Sequence, residues 1–101
     1  MNLDNAENGR DFPRDGLLVR DLDGELVILD TELDRIHQLN STAGIIWRKI
    51  AEGATQEEAA AMLERDFLLD AVTARRDVGE TVNKFRELGF FASGERVAGH
   101  V

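Results

Sequence analysis

The 101-residue chain predicts an α+β fold: a three-stranded antiparallel sheet followed by three helices. Three observations carry that reading. Residues 17–39 hold short extended runs broken by Asp23-Gly24 and by a polar turn at 31–34. At Asn40-Ser41-Thr42 the apolar period then changes from two to about 3.6. Beyond that corner, Gly53, the run Thr55-Gln56-Glu57-Glu58 and Gly89 punctuate the chain as helix stops and starts do.

The first two strands are expected over residues 17–21 and 25–30. Asp23-Gly24 between them is a hairpin signal, because both residue types tolerate positive φ. Leu26-Val27-Ile28-Leu29 is apolar on both faces, which suits a central strand covered on one side and partly covered on the other. The third strand, 35–39, follows a short turn and becomes an edge, since no strand comes after it. Asn40 or Ser41 supplies an N-cap for a first helix to about residue 52. Its face Ala43, Ile46, Trp47 and Ile50 makes Leu39 and Trp47 the anchors of the corner. Thr55 and Glu58 form a capping box for a second helix with Ala59, Ala60, Leu63 and Phe67 inward. A third helix over about 71–88 turns Val78, Val82 and Phe85 to the core. The expected core anchors are thus Leu39, Ile46, Trp47, Leu63, Phe67 and Phe85. Phe90-Phe91 is read as a short extended return to the sheet. Residues 1–16 and 92–101 read as flexible tails around a domain at 17–91, with Phe12-Pro13 available to pin the first tail.

Composition narrows the function. Net charge is −8, which disfavours a phosphate backbone or an anionic membrane as partner. Without Cys there is no disulfide, thiolate metal site or Cys nucleophile. The polar, acidic start lacks the order of a signal peptide, so a cytoplasmic protein is expected. A domain this small buries only about 60% of its unfolded surface, so partner binding or dimerisation would add stability, and the expected state is a monomer or a hairpin-exchanged dimer.

No residue set points to catalysis, a metal or a cofactor. His37 and His100 are the only histidines and meet only if the tail folds back. A lone strand histidine is more often packing or surface than ligand. Asp21-Leu22-Asp23-Gly24-Glu25 holds too few ligands for a calcium loop and reads better as a hairpin. No Gly-Lys-Ser/Thr phosphate loop is present. One feature stands out. Arg75, Gly79 and Arg86 share a flank of the third helix beside its core stripe, and mid-helix glycine is costly. The plain reading makes the arginines solvated partners of Glu80 or Glu87. The functional reading is a groove between the third helix and the third strand. It takes an extended peptide on Arg35, Ile36, His37, Gln38 and Leu39, against Arg75, Val78, Gly79, Val82 and Arg86.

Leu39-Asn40-x-Thr42-Ala43-x-x-Ile46-Trp47 resembles the signature of the PqqD-like family. So do His37-x-Leu39, Gly53-Ala54-Thr55-x-Glu57-Glu58-Ala59, and Asp77-Val78 through Phe85-x-x-Leu88-Gly89-Phe90. The resemblance covers about residues 17–91. It implies a winged helix-turn-helix-like fold and a RiPP recognition element, which binds the leader of a ribosomally made precursor peptide as an added strand beside the third strand. The expected partners are that leader and a modifying enzyme or protease of the same pathway. Leu29-Asp30-Thr31-Glu32-Leu33 lacks the Pro of the pyrroloquinoline quinone biosynthesis protein. Trp47-Arg48, the Gly53–Ala59 segment and Asp77-Val78 look closer to the freestanding leader-binding proteins of lasso-peptide pathways, and the resemblance implies a lasso-peptide-type or pyrroloquinoline-quinone-type pathway. Two other classes stay open: a winged-helix DNA-binding regulator, and a non-catalytic protein-interaction subunit.

Overall fold

A computed structural model describes residues 11–92. Most of both expected tails, and His100 with them, lies outside those residues. Strands β1 (Leu17–Leu22), β2 (Glu25–Asp30) and β3 (Arg35–Leu39) form one antiparallel sheet in the order β1-β2-β3. Helices α1 (Ser41–Ala51), α2 (Gln56–Phe67) and α3 (Ala71–Glu87) follow. This is the α+β arrangement expected, with α2 and α3 joined as a helix-turn-helix pair by residues 68–70.

Local chemistry sets the corners. Asp23 and Gly24 hold φ of 56° and 90°, and Leu22 pairs directly with Glu25 around them. A two-residue turn of this kind matches the twist of the flanking strands. Asn40, not Ser41, caps α1, and its side-chain oxygen accepts from the Ala43 N–H at 2.8 Å. At α2 the Thr55 hydroxyl accepts from the Glu58 N–H at 3.0 Å, and the Glu58 carboxylate accepts from the Thr55 N–H at 2.8 Å. Asp70 caps α3 by accepting from the Thr73 N–H at 2.8 Å.

The core lies between the inner sheet face and the three helices. Leu26 and Ile28 of β2 and Leu39 of β3 meet Ile46, Trp47 and Ile50 of α1, with Leu63, Val78, Val82, Phe85 and Phe90 beyond them. Trp47 is the hub. It sits edge-on to Phe85 and Phe90 at ring distances of 5.2 and 5.5 Å, and stacks on Phe91 at 6.0 Å. Gly44 allows α1 to approach β2, since a Cβ there would lie 3.3 Å from Leu26 Cγ.

Two expectations need correction. Phe67 is not a core anchor: it is the last residue of α2 and stays 47% exposed. The helix stops there and turns through Leu68, so no layer covers that ring. Phe91 does form an extended return, but its partner is Pro13 rather than the three-stranded sheet. The Arg14 N–H donates to Phe90 O at 3.0 Å, and the Ala92 N–H donates to Phe12 O at 2.8 Å. Pro13 has no N–H to give, and this pairing asks none of it. Residues 12–14 of the expected N-terminal tail are therefore tied to the domain.

Candidate functional site

The sheet leaves β3 at an edge. β2 pairs with one side of it, and among the described residues no strand pairs with the other. Unpaired backbone N–H and C=O groups along such an edge are ready to accept another chain. Register decides where its side chains go. Leu39 and His37 stand opposite Leu26 and Ile28, on the inner face. Ile36 and Gln38 stand opposite Leu29 and Val27, on the outer face.

Between this edge and α3 runs a groove of about 530 Å³. Ile36, His37, Gln38, Leu39, Asn40 and Ala43 line one wall, and Glu80, Thr81, Lys84, Phe85 and Leu88 the other. Leu39 and Phe85 are buried and give it an apolar floor. Ile36 is 70% exposed on its rim. Glu80 and Lys84 form no ion pair among the described residues, so a charge of each sign faces the groove. The His37 ring lies edge-on to Phe90 at 5.0 Å, and its Nε2 is buried without a hydrogen-bond partner. The wall of β3 is held from behind, where Gln38 Nε2 donates to the Glu25 carboxylate at 2.5 Å.

The expected strand residues Arg35, Ile36, His37, Gln38 and Leu39 are thus on or beside the groove, and the helix residues are not. Val78 and Val82 are 1% and 0% exposed and belong to the core. Arg75, Gly79 and Arg86 fall about 60–100° to one side of Val78, whereas Thr81, Leu88 and Lys84 fall about 60–120° to the other. The groove uses the second flank. Arg86 instead donates to Asp11 at 3.0 Å, from Nη2. A signal for the flank that lines the groove did exist. Adding Ala74 and Leu88 to the stripe of Val78, Val82 and Phe85 shifts its apolar centre toward Thr81 and Leu88.

No group of His, Asp and Glu among the described residues is arranged to hold a metal ion. No helix among them is long and apolar enough to cross a membrane. Chemically, the site offers backbone pairing along one strand, an apolar slot and two charges.

The family model described as coenzyme PQQ synthesis protein D (PqqD) matches residues 25–90, which hold both walls of the groove. The chain is a member of the PqqD family. Two solved structures are similar to it. A lasso peptide synthetase B1 complexed with the leader peptide is 26% identical, with a TM-score of 0.74, over 79% of this chain and 94% of that one. TbiB1, in complex with the TbiA(beta) leader peptide, is 19% identical with a TM-score of 0.74, over 88% of this chain and 96% of that one, and supports the fold alone. No curated protein matches the chain.

Proposed function

We propose that this PqqD-family protein is a freestanding leader-peptide-binding protein. It takes the leader of a ribosomally synthesised precursor as an added strand and presents it to a modifying enzyme or protease of a lasso-peptide-type pathway. The observation that carries this reading is the unpaired β3 edge beside a groove whose other wall is α3. The resemblance to a lasso peptide synthetase B1 solved with a leader peptide supports it.

The register supplies a mechanism. A fourth strand along β3 would span about 16 Å over five residues. Side chains facing His37 and Leu39 would enter the slot toward Phe85 and Leu88. Those facing Ile36 and Gln38 would lie on the outer sheet face. Backbone pairing supplies affinity that tolerates sequence change, and the slot supplies selection. The role asks for no catalytic residue and no cofactor, and it belongs in the cytoplasm, where precursor peptides are made.

The test is a fluorescence-anisotropy titration of the full chain with a fluorescein-labelled leader from the precursor gene beside it. Binding with a Kd on the order of 1 μM or tighter is expected, near −8 kcal/mol. A leader that fails to bind at about a hundred times that concentration would count against the reading.

A further inference from the structure

The helices pack on one face of the sheet, and among the described residues none packs on the other. An antiparallel face turned to water is ordinarily polar. This face instead carries an apolar row. Register sets Leu18 opposite Leu29 and Leu29 opposite Ile36, so three aliphatic side chains run straight across it. The neighbouring row runs through Arg20, Val27 and Gln38 and is polar at both ends. Gln38 is held there by its hydrogen bond to Glu25 at 2.5 Å.

Exposure along the apolar row is greatest at its β3 end. Leu29, on the central strand, is half-buried, while Leu18 is 46% exposed and Ile36 70%. Ile36 also lines the groove, so the row and the groove share a residue. A fourth strand on β3 would extend both rows by one side chain. Whichever way it runs, alternation turns its residues beside Ile36 and Gln38 outward. Its backbone would lie about 5 Å from β3 and about 10 Å from β2. Long and aromatic side chains reach strand neighbours about 7–8 Å away. A leucine, methionine or aromatic beside Ile36 therefore covers it and meets the near edge of Leu29. A serine or alanine there does neither.

We infer that Ile36 and Leu29 form a second leader subsite, on the outer sheet face, that selects one large apolar side chain. This rests on the leader-binding reading and adds the sequence that the site selects. The groove asks for apolar residues beside His37 and Leu39, facing Phe85 and Leu88. The outer face asks for one more beside Ile36, and its polar row asks for none beside Gln38. Along residues 36–39 the bound segment thus reads apolar, apolar, polar, apolar. A leader selected by the groove alone would alternate strictly. Continuity fixes the occupant, because the strand that fills the groove is the one that extends the row.

The fluorescein-labelled leader of the adjacent precursor and its single-serine variants are titrated against the full chain, Ile36→Thr, Leu29→Thr and Leu18→Thr. Threonine keeps the strand preference, and thermal melts show that each variant is folded. Ile36→Thr is expected to weaken the leader about fivefold and Leu29→Thr about threefold. Leu18, about 14 Å from the added strand, lies beyond reach, so Leu18→Thr moves affinity by less than about twofold. Serine at one leader position costs about fivefold against wild type and less than about twofold more against Ile36→Thr, the coupling of a direct contact. Serine two residues away, beside Gln38, costs less than about twofold. The inference is overturned, and the leader reading left standing, if the leader binds but no position couples to Ile36, or if Leu18→Thr weakens it as much as Ile36→Thr does. It is also overturned if sedimentation shows that wild type alone dimerises and Ile36→Thr abolishes the dimer, which gives the row to a second copy. A wild-type chain that binds no leader sinks both readings.

Discussion

Arg14 reaches across the base of the domain to the buried carboxylate of Asp30, its Nη2 lying 2.5 Å from Oδ2. Its Nε donates to Gly89 O at 2.5 Å. The other Asp30 oxygen accepts the N–H groups of Glu32 and Leu33 at 3.1 and 3.0 Å. One ion pair thus joins the entry segment, the turn that launches β3 and the exit from α3. The two walls of the groove are tied together at that end. Removing the cation leaves a buried charge without its partner. Arg14→Ala is expected to lower the melting temperature by more than about 10 °C and to weaken leader binding with it. A circular-dichroism melt shifted by only a degree or two would show that the pair is dispensable.

Acid should unfold the protein through the same carboxylate and two others. Burial of Asp30 pushes its pKa up, but the Leu33 N–H, the Arg14 guanidinium and the Glu32 N–H outweigh it and hold the pKa below the ordinary 3.8. The Gly24 N–H and Arg48 lower that of Asp21, and the Thr73 N–H and hydroxyl lower that of Asp70. A depressed folded pKa means that the unfolded chain binds more protons. The stabilisation is therefore complete above the unfolded value and is lost as pH falls through the folded one. The urea midpoint should drop steadily from about pH 5 to pH 2. A midpoint that stays level over that range would contradict this.

Trp47 joins the corner after β3 to the end of α3 through its contacts with Phe85, Phe90 and Phe91. Trp47→Ala should cost roughly 3–5 kcal/mol, as other buried aromatic truncations do. A domain of this size has about that much to lose, so the variant should be largely unfolded at 37 °C. An intact near-native melt would show that the neighbouring rings close the gap.

The corners were legible because each is fixed by two or three adjacent residues. Asp23-Gly24 permits only a tight hairpin, and Thr55 with Glu58 writes a helix start that needs no tertiary partner. The edge position of β3 followed from chain order alone. What sequence could not give was the side of α3 that lines the groove beside β3. Both flanks adjoin the same buried stripe, and three-dimensional packing chooses between them. Arg75, Gly79 and Arg86 drew the eye because they are unusual, whereas Thr81, Lys84 and Leu88 look like any helix surface. Phe12-Pro13 offered a pin for the first tail, but its partner, residues 90–92, was hidden for another reason. The pairing links segments about eighty positions apart, and no local signal reports a contact across that separation.

Gly79 separates stability from recognition. With open space where its Cβ would stand, Gly79→Ala should add roughly 0.5–1 kcal/mol through helix propensity alone. Leader affinity should not move, because the groove lies on the other flank. Paired urea titrations and anisotropy measurements decide it. A fall in stability would mean that the residue packs against something, and a fall in leader affinity would bring this flank into the leader site.

The groove itself makes the sharpest division among side chains. Ile36 stands on its rim and Lys84 on its far wall, while Arg75 and Arg86 face away from it. Ile36→Asp puts a charge where a leader side chain would bury apolar surface. Lys84→Glu leaves two like charges, with Glu80, along one wall. Each should weaken leader binding by about tenfold, or roughly 1.4 kcal/mol, and the Lys84 effect should shrink as salt rises. Arg75→Glu and Arg86→Glu should change leader affinity by less than about twofold. A leader with proline or an N-methyl group at a residue donating to the β3 backbone should lose binding, since one ladder bond has no donor. Amide shift mapping with the same leader should move residues 35–39 and 80–88 together. If perturbed amides instead follow Arg75, Gly79 and Arg86, the leader runs along the other flank, and the β3 edge is free for a different partner.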